Sequence, residues 1–153
     1  MATPIVIVAR QGESGQLERG ARLERACELI VDAGLAGAGW VLFPEAYLPG
    51  APAWLWSAAQ AGALASELGT LAEAVEVPSA TTERLCRVAR RSQVGVAIGV
   101  IERAGGACYS SLLLIDAQGR ICGHHRSALP AWSLVADEAS PASVALPEWA
   151  GGI

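Results

Sequence analysis

Residues 40–50, WVLFPEAYLPG, indicate most clearly how this chain folds. Four apolar residues are followed by a proline, a single carboxylate and, a little further on, a second proline and a glycine. Pro44 lacks an N–H and has a fixed φ, so it ends a strand ladder and restrains the backbone beside it. Residues 40–43 therefore predict a buried strand that ends just before Glu45. In an open α/β sheet, functional side chains lie beyond the carboxyl ends of the strands, which makes Glu45 a candidate general base.

The segment before this strand predicts an α/β fold. Residues 5–9 are rich in β-branched side chains and follow Pro4, as in a buried strand. Apolar side chains recur at helical spacing over residues 18–33, at Leu23, Cys27, Ile30 and Val31. Gly34 is the predicted stop signal of that helix. The order of strand, helix and strand implies two parallel strands joined by a crossover helix.

The next segment repeats the pattern. Residues 57–68 are rich in alanine and predict a helix, and Thr81 can cap a further helix. The side chains of that further helix that we expect to face inward are Leu85, Val88 and Ala89. Residues 95–100, GVAIGV, predict a strand that is buried on both faces.

A hairpin is predicted next. Residues 108–115 form a strand, the turn DAQG carries Asp116 and Gly119, and residues 120–124 pair back. We expect irregular structure from Ser127 onward. His124 and His125 are expected at a solvent-facing strand end and not at a metal, because neighbouring residues on a strand point to opposite faces.

Composition excludes several classes of protein. The net charge is -4 and the 11 basic residues are all arginine, scattered along the chain, so a nucleic-acid partner is not expected. The N-terminal residues lack the basic start of a signal peptide, and the longest uncharged apolar stretch, residues 33–44, is too short to span a bilayer. We expect one domain over residues 1–153, a cytoplasmic location and no membrane partner. The 4 cysteines lie far apart without paired spacing, which predicts buried free thiols and no zinc or redox site.

Linked motifs in the sequence resemble a known family. The string VLFPEAYLPGAPAW resembles the first motif of the nitrilase superfamily of carbon-nitrogen hydrolases, and APAWLW is similar to its nitrilase branch. The strings AVEVPSATTERLCRVARRSQVGVAIGVIER and YSSLLLIDAQGRICGHHR resemble that family's third strand and its hairpin. The likeness runs from about residue 5 to residue 126. It implies the N-terminal half of an αββα sandwich, in which helices enclose two sheets, so the chain is expected to be truncated.

The resemblance also implies a chemistry. The family hydrolyses small nitriles or amides without a cofactor or a metal, through a Cys nucleophile, a Glu base and a Lys that stabilises the tetrahedral species. Carried over by position, the Glu falls on Glu45 and the Lys on Ser127. The sequence contains no lysine, and the chain stops before the family's nucleophilic cysteine. Complete members of the family are expected to form homo-oligomers.

These gaps predict an inactive chain. Loss of one oxyanion-stabilising group costs about 10²–10³ in rate, and loss of a nucleophile costs about 10⁶. The pocket candidates beside Glu45 are Tyr47, Trp54, His125 and Ser127. An alternative is a non-catalytic relative that binds a partner or a small molecule through the region of Glu45, Tyr47 and Trp54. A nucleotide-binding domain is a third possibility, but the sequence contains no glycine motif of the kind that binds phosphate. Glu45 at a solvent-exposed strand end, without a function, is also an open alternative.

Overall fold

The computed structural model describes residues 4–7, 19–49 and 73–128. The described part contains strands β1 (Ile5–Ile7), β2 (Trp40–Leu42), β3 (Gly95–Ala104), β4 (Ala107–Ile115) and β5 (Ile121–Ala128). It also contains helices α1 (Arg19–Leu35) and α2 (Ala80–Ser92). Neither helix is both long and apolar enough to cross a membrane. The helix predicted over residues 57–68 lies outside the described residues.

The strands form one five-stranded sheet in the order β1-β2-β3-β4-β5. β1, β2 and β3 run parallel, and β3, β4 and β5 are antiparallel. Helix α1 links β1 to β2, as the alternation of strand and helix predicts. The predictions of an α/β fold and of the hairpin are therefore confirmed.

Both helices pack on one face of this sheet, here called the helix side. Leu85 and Ala89 of α2 are fully buried there with Ile30 of α1, so the inward face predicted for α2 is confirmed. Their partners on β3 and β4 are Val96, Ile98, Val100, Leu113 and Ile115. Alternate residues of a strand point to opposite faces, so Ala97, Gly99 and Ile101 face the other way. That opposite face is called the Glu45 side below.

Glycines allow close approach at two packing points. Gly34 does not end α1, which continues to Leu35; the left-handed residue after the helix is Gly37, with φ 75. A Cβ on Gly34 would lie 2.7 Å from the Ser92 carbonyl oxygen, so Gly34 lets α1 approach the end of α2. Gly95 similarly makes room for the ring of Trp40 on the neighbouring strand.

The start of α2 differs from the prediction. The N-cap is Ser79 and not Thr81: the Ser79 side chain accepts a hydrogen bond from the Thr82 N–H. Thr82 Oγ1 accepts from the Ser79 N–H in return, which completes a capping box. Sequence favours both positions because Ser and Thr are equally plausible caps, and only the reciprocal bond distinguishes them.

The last strand is longer than predicted. β5 extends through Ser127 to Ala128, where irregular structure was expected. Pairing with β4 explains the difference, since Tyr109 and Ser110 lie opposite Ala128 and Ser127. The turn before β5 has Gly119 at φ 77, in the left-handed region predicted for it.

Candidate functional site

Glu45 lies in a loop that leaves the sheet and returns to it. Phe43 N donates to Ala97 O at 2.8 Å, and Leu48 N donates to Gly99 O at 3.3 Å. The chain between these two bonds loops out on the Glu45 side, and Ala46 within it has φ 51, a conformation that is strained for a residue with a Cβ. Both ends of the loop are bonded to β3, so the backbone of Glu45 is held against the sheet.

The loop passes directly over Gly99. A Cβ at that position would lie 2.6 Å from the Glu45 Cα and 2.6 Å from the Pro44 carbonyl oxygen. Any side chain there would push the loop away from β3. Gly99 therefore sets the height of Glu45 above the sheet, a role that the sequence analysis did not detect.

The Glu45 carboxylate contacts β4. Ser110 Oγ donates to Glu45 Oε1 at 2.8 Å, across 65 positions of sequence. Glu45 is exposed, so its charge stays hydrated and escapes the cost of burial. The carboxylate is thus oriented by a hydroxyl while it remains open to solvent.

Ser127 shares the face of that contact. It lies directly opposite Ser110 in the antiparallel register of β4 and β5. Opposite residues point to the same face with Cβ atoms about 4.5–5.5 Å apart. The structure therefore brings Ser127, which stands where the resemblance places a lysine, next to the hydroxyl that binds Glu45.

The other predicted pocket residues occupy different places. His125 lies opposite Leu112 on the Glu45 side, and its Nδ1 is buried with no hydrogen-bond partner among the described residues. The Tyr47 ring lies 4.8 Å from the Phe43 ring and packs against the helix-side core. Its position beside the Glu45 carboxylate stays a prediction, and Trp54 lies outside the described residues.

The thiols differ from one another in burial. Cys27 and Cys108 are buried, Cys86 is half-buried and Cys122 is exposed, so the expectation of a core thiol is wrong for Cys122, which lies on an edge strand. Desolvation raises the pKa of all four thiols, which keeps them protonated at neutral pH. A nucleophilic cysteine needs the opposite shift.

A second polar cluster lies on the helix side of the same strands. Glu102 is 0% exposed, and its Oε1 accepts from Arg126 Nη2 at 2.6 Å. Its Oε2 accepts from Arg126 Nε at 3.0 Å and from Ser111 Oγ at 2.6 Å. His124 Nε2 lies 2.7 Å from the same oxygen. His124, which was predicted to face solvent, therefore also contacts a buried carboxylate through one ring nitrogen.

These contacts keep Glu102 charged. Burial raises the pKa of the Glu102 carboxyl, but the hydrogen bonds from Arg126, Ser111 and His124 outweigh it and the pKa lies below its ordinary value of 4.5. This cluster was not predicted from the sequence. The sequence offers a single acid at position 102 and basic residues at positions 124 and 126. Only the strand register shows that the three side chains lie on the same face of the sheet and are neighbours.

The fold and site define an α/β protein that carries a carboxylate at the carboxyl end of a parallel strand. The model of the carbon-nitrogen hydrolase family matches residues 7–140. The chain is 32% identical over 124 residues to an arylacetonitrilase of Hypocrea virens, covering 81% of this chain and 37% of the relative. It is 30% identical over 120 residues to a nitrilase of Bacillus sp. strain OxB-1, covering 78% and 35%.

Solved structures agree on the fold. An amidase from Nesterenkonia sp. superposes with a TM-score of 0.54 at 16% identity, over 80% of this chain and 41% of the amidase. The chain belongs to the carbon-nitrogen hydrolase family, the nitrilase superfamily that its motifs resemble. It spans 37% of the length of the arylacetonitrilase, and the described sheet and helices form part of a nitrilase-type α/β fold.

Proposed function

We propose that Glu45 is the proton-transfer carboxylate of a hydrolase for small nitriles or amides, and that this chain alone is catalytically inactive. The observation that carries the proposal is the contact between Glu45 and Ser110, which lies opposite Ser127. The resemblance assigns the Glu to position 45 and the Lys to position 127, and the shared neighbour Ser110 supports this assignment. The relatives named nitrilase, arylacetonitrilase and amidase supply the substrate class.

In the proposed reaction, a thiolate attacks the nitrile or amide carbon. With an amide, ammonia then leaves; with a nitrile, water adds first and ammonia leaves afterwards, and in both cases a thioester remains. Water hydrolyses this thioester to the carboxylic acid and restores the thiol. Glu45 takes and returns the protons of these steps, and a cation at position 127 stabilises the charge of the tetrahedral species. The carboxylate oxygen that Ser110 does not bind accepts the proton in this scheme. Ser127 carries no charge, so the electrostatic part of the reaction is missing from this chain.

The proposed inactivity has two supports. The sequence contains no lysine, and each of its four thiols has a raised pKa. Cys108 is the thiol of greatest interest because it lies two residues before Ser110 on β4 and points to the same face. Its burial keeps it as a neutral thiol, which makes it a poor nucleophile.

A chimera tests the role of Glu45 in the presence of a nucleophile. Residues 5–128 replace the matching segment of the Hypocrea virens arylacetonitrilase, which keeps its own remaining segments. With Ser127→Lys the chimera is expected to release ammonia from an arylacetonitrile, and the version with Ser127 is expected to be about 10²–10³ slower. Adding Glu45→Gln should abolish the activity while circular dichroism stays unchanged. Full activity of a folded Glu45→Gln chimera would refute the role of Glu45.

A second candidate function is binding without catalysis. The replacement of a cation by Ser127 leaves hydroxyls and a carboxylate on the Glu45 side, groups that can hydrogen-bond a neutral amide. Titration of the labelled chain with acetamide should then shift the amide resonances of Glu45 and Ser110, and Glu45→Gln should remove these shifts. Unchanged spectra at millimolar acetamide would exclude this candidate.

We propose further that the cytoplasm is the location and that the complete protein forms a homo-oligomer, on the resemblance and the sequence alone. Sedimentation velocity of the complete protein tests the oligomer. A monomer at micromolar concentration would contradict it.

A further inference from the structure

We propose that Glu102 is a positioning residue: by binding Arg126 and His124, it holds β5 in the register that keeps residue 127 opposite Ser110 and close to Glu45. The inference rests on the proposed role of Glu45 and position 127. It concerns a residue on the opposite face of the sheet from Glu45.

The register of β5 needs such a constraint. β5 is an edge strand, bonded within the described sheet to β4 alone. The ladder between β4 and β5 also contains a register shift between Leu114 and Ile115, close to the hairpin turn. The pairing of the distal half of β5, where Ser127 lies, is therefore offset from the register that begins at the turn.

A slip of one residue would have a large effect at the site. Every side chain of β5 would change face, so residue 127 would move to the helix side and Arg126 would move to the Glu45 side. The glycine, the two histidines and the single serine of this strand give a weak hydrophobic pattern, which does little to oppose a slip.

Glu102 opposes the slip from two strands away. Its carboxylate on β3 reaches past β4 to two alternate residues of β5, Arg126 with a bidentate pair and His124 with a third contact. The Arg126 guanidinium also lies over the Tyr109 ring, 5.6 Å from its centroid. In a slipped register, the fully buried carboxylate would lose these partners, and an unpaired buried charge is strongly unfavourable.

Residue-resolved hydrogen exchange of the labelled chain tests this proposal, with Glu102→Gln as the first variant. We expect β5 amides to exchange at least about tenfold faster relative to β3 amides, the factor that loss of a charge-assisted hydrogen bond implies. The nuclear Overhauser contact between Ser110 and Ser127 should weaken in the same variant. Arg126→Gln, a change at a partly exposed side chain, removes the same contact from the side of β5 and should act in the same direction.

Leu85→Ala is the matched control, since Leu85 is fully buried in α2, in a core cluster that includes neither a residue of β5 nor Glu102. It should loosen β3 and β5 by the same factor and leave the contact between Ser110 and Ser127 intact. An unchanged ratio of β5 to β3 exchange in Glu102→Gln, or an equal change in Leu85→Ala, would overturn the positioning role. Neither result bears on Glu45 chemistry, which the chimera tests separately.

Discussion

Gly99, which has no side chain, determines the position of the Glu45 carboxylate. The loop of residues 43–48 rejoins β3 at Leu48, and it crosses the strand where Gly99 offers no Cβ. Ser110 then binds the carboxylate from the next strand. The orientation of Glu45 therefore depends on two small residues on two different strands.

Gly99→Ala should disturb this loop. The new Cβ would lie 2.7 Å from Ala46 N as well as against Glu45, and overpacking of this kind costs about 1–3 kcal/mol of unfolding free energy. Urea unfolding gives the stability, and the Glu45 and Ser110 resonances report the loop. Gly20→Ala is the control, because nothing lies within 4 Å of a Cβ there and the residue is helical, so this variant should be neutral or more stable. Equal stability of the two variants would contradict the account.

Among the elements, helix α2 has the most complete start. Its capping box satisfies donors at both Ser79 and Thr82, whereas the predicted cap Thr81 lies inside the helix. Ser79→Ala should lower the unfolding free energy by about 1 kcal/mol. Thr81→Ala should change it by less than about 0.5 kcal/mol, since this residue makes no cap. Chemical denaturation compares the two, and a larger loss for Thr81→Ala would show that the cap is misassigned.

Strands β3, β4 and β5 are joined by the charge of Glu102, which makes their stability depend on pH. The folded-state pKa of Glu102 is below its ordinary value of 4.5, so its stabilisation is complete above that pH and is lost as the pH falls through the lower folded-state pKa. Glu102→Gln should cost about 1.5–3 kcal/mol at pH 7, with the difference from the parent shrinking below pH 4.5.

Glu28→Gln is the control for that measurement, because Glu28 forms an exposed pair with Arg25 on one helix. It should cost less than about 0.5 kcal/mol at any pH. A Glu102→Gln difference that stays constant from pH 7 to pH 3 would contradict the pairing of an ionised Glu102.

The sequence predicted the elements better than the contacts between them. Apolar periodicity located Leu85 and Ala89, and a strand followed by Pro44 located Glu45, because these signals are local. The register of the hairpin depends on residues that are distant in the sequence. This register places Ser127 opposite Ser110, and it brings Arg126 to Glu102. Gly34 and Gly37 illustrate the same limit, since either glycine is a plausible helix stop until the packing against Ser92 is known.

At the scale of the whole molecule, strand β1 forms one edge of the described sheet. Its Ile5 and Ile7 side chains are 58% and 73% exposed, so apolar groups lie beside a backbone edge that can pair with other chains. The double variant Ile5→Lys and Ile7→Lys should reduce self-association measured by light scattering, because charge on an edge strand opposes pairing. Val31→Lys, at an exposed apolar residue of α1, is the control and should have less effect. Equal effects of both changes would argue against association through β1.

Across the whole chain, the described sheet is part of a carbon-nitrogen hydrolase fold, and Glu45 lies where we propose its proton-transfer carboxylate. It covers 37% of the length of a matching arylacetonitrilase and has a serine where the resemblance places the lysine. Glu45 is positioned by the loop over Gly99 and by Ser110, and residue 127 lies across from that hydroxyl. In the proposed reaction Glu45 works with a thiolate and a cation, and we propose that this chain supplies neither.

Ammonia release by the purified chain of residues 1–153 tests this most directly. The parent, Glu45→Gln and Ser127→Lys are incubated with an arylacetonitrile and with an aliphatic amide, at equal concentration and with a buffer blank. We predict that none of the three exceeds the blank, since loss of the nucleophile, which is part of the proposed inactivity, costs about 10⁶ in rate and a lysine at position 127 does not replace it. Release by the parent that Glu45→Gln abolishes would contradict the account, because the chain would then contain a working nucleophile.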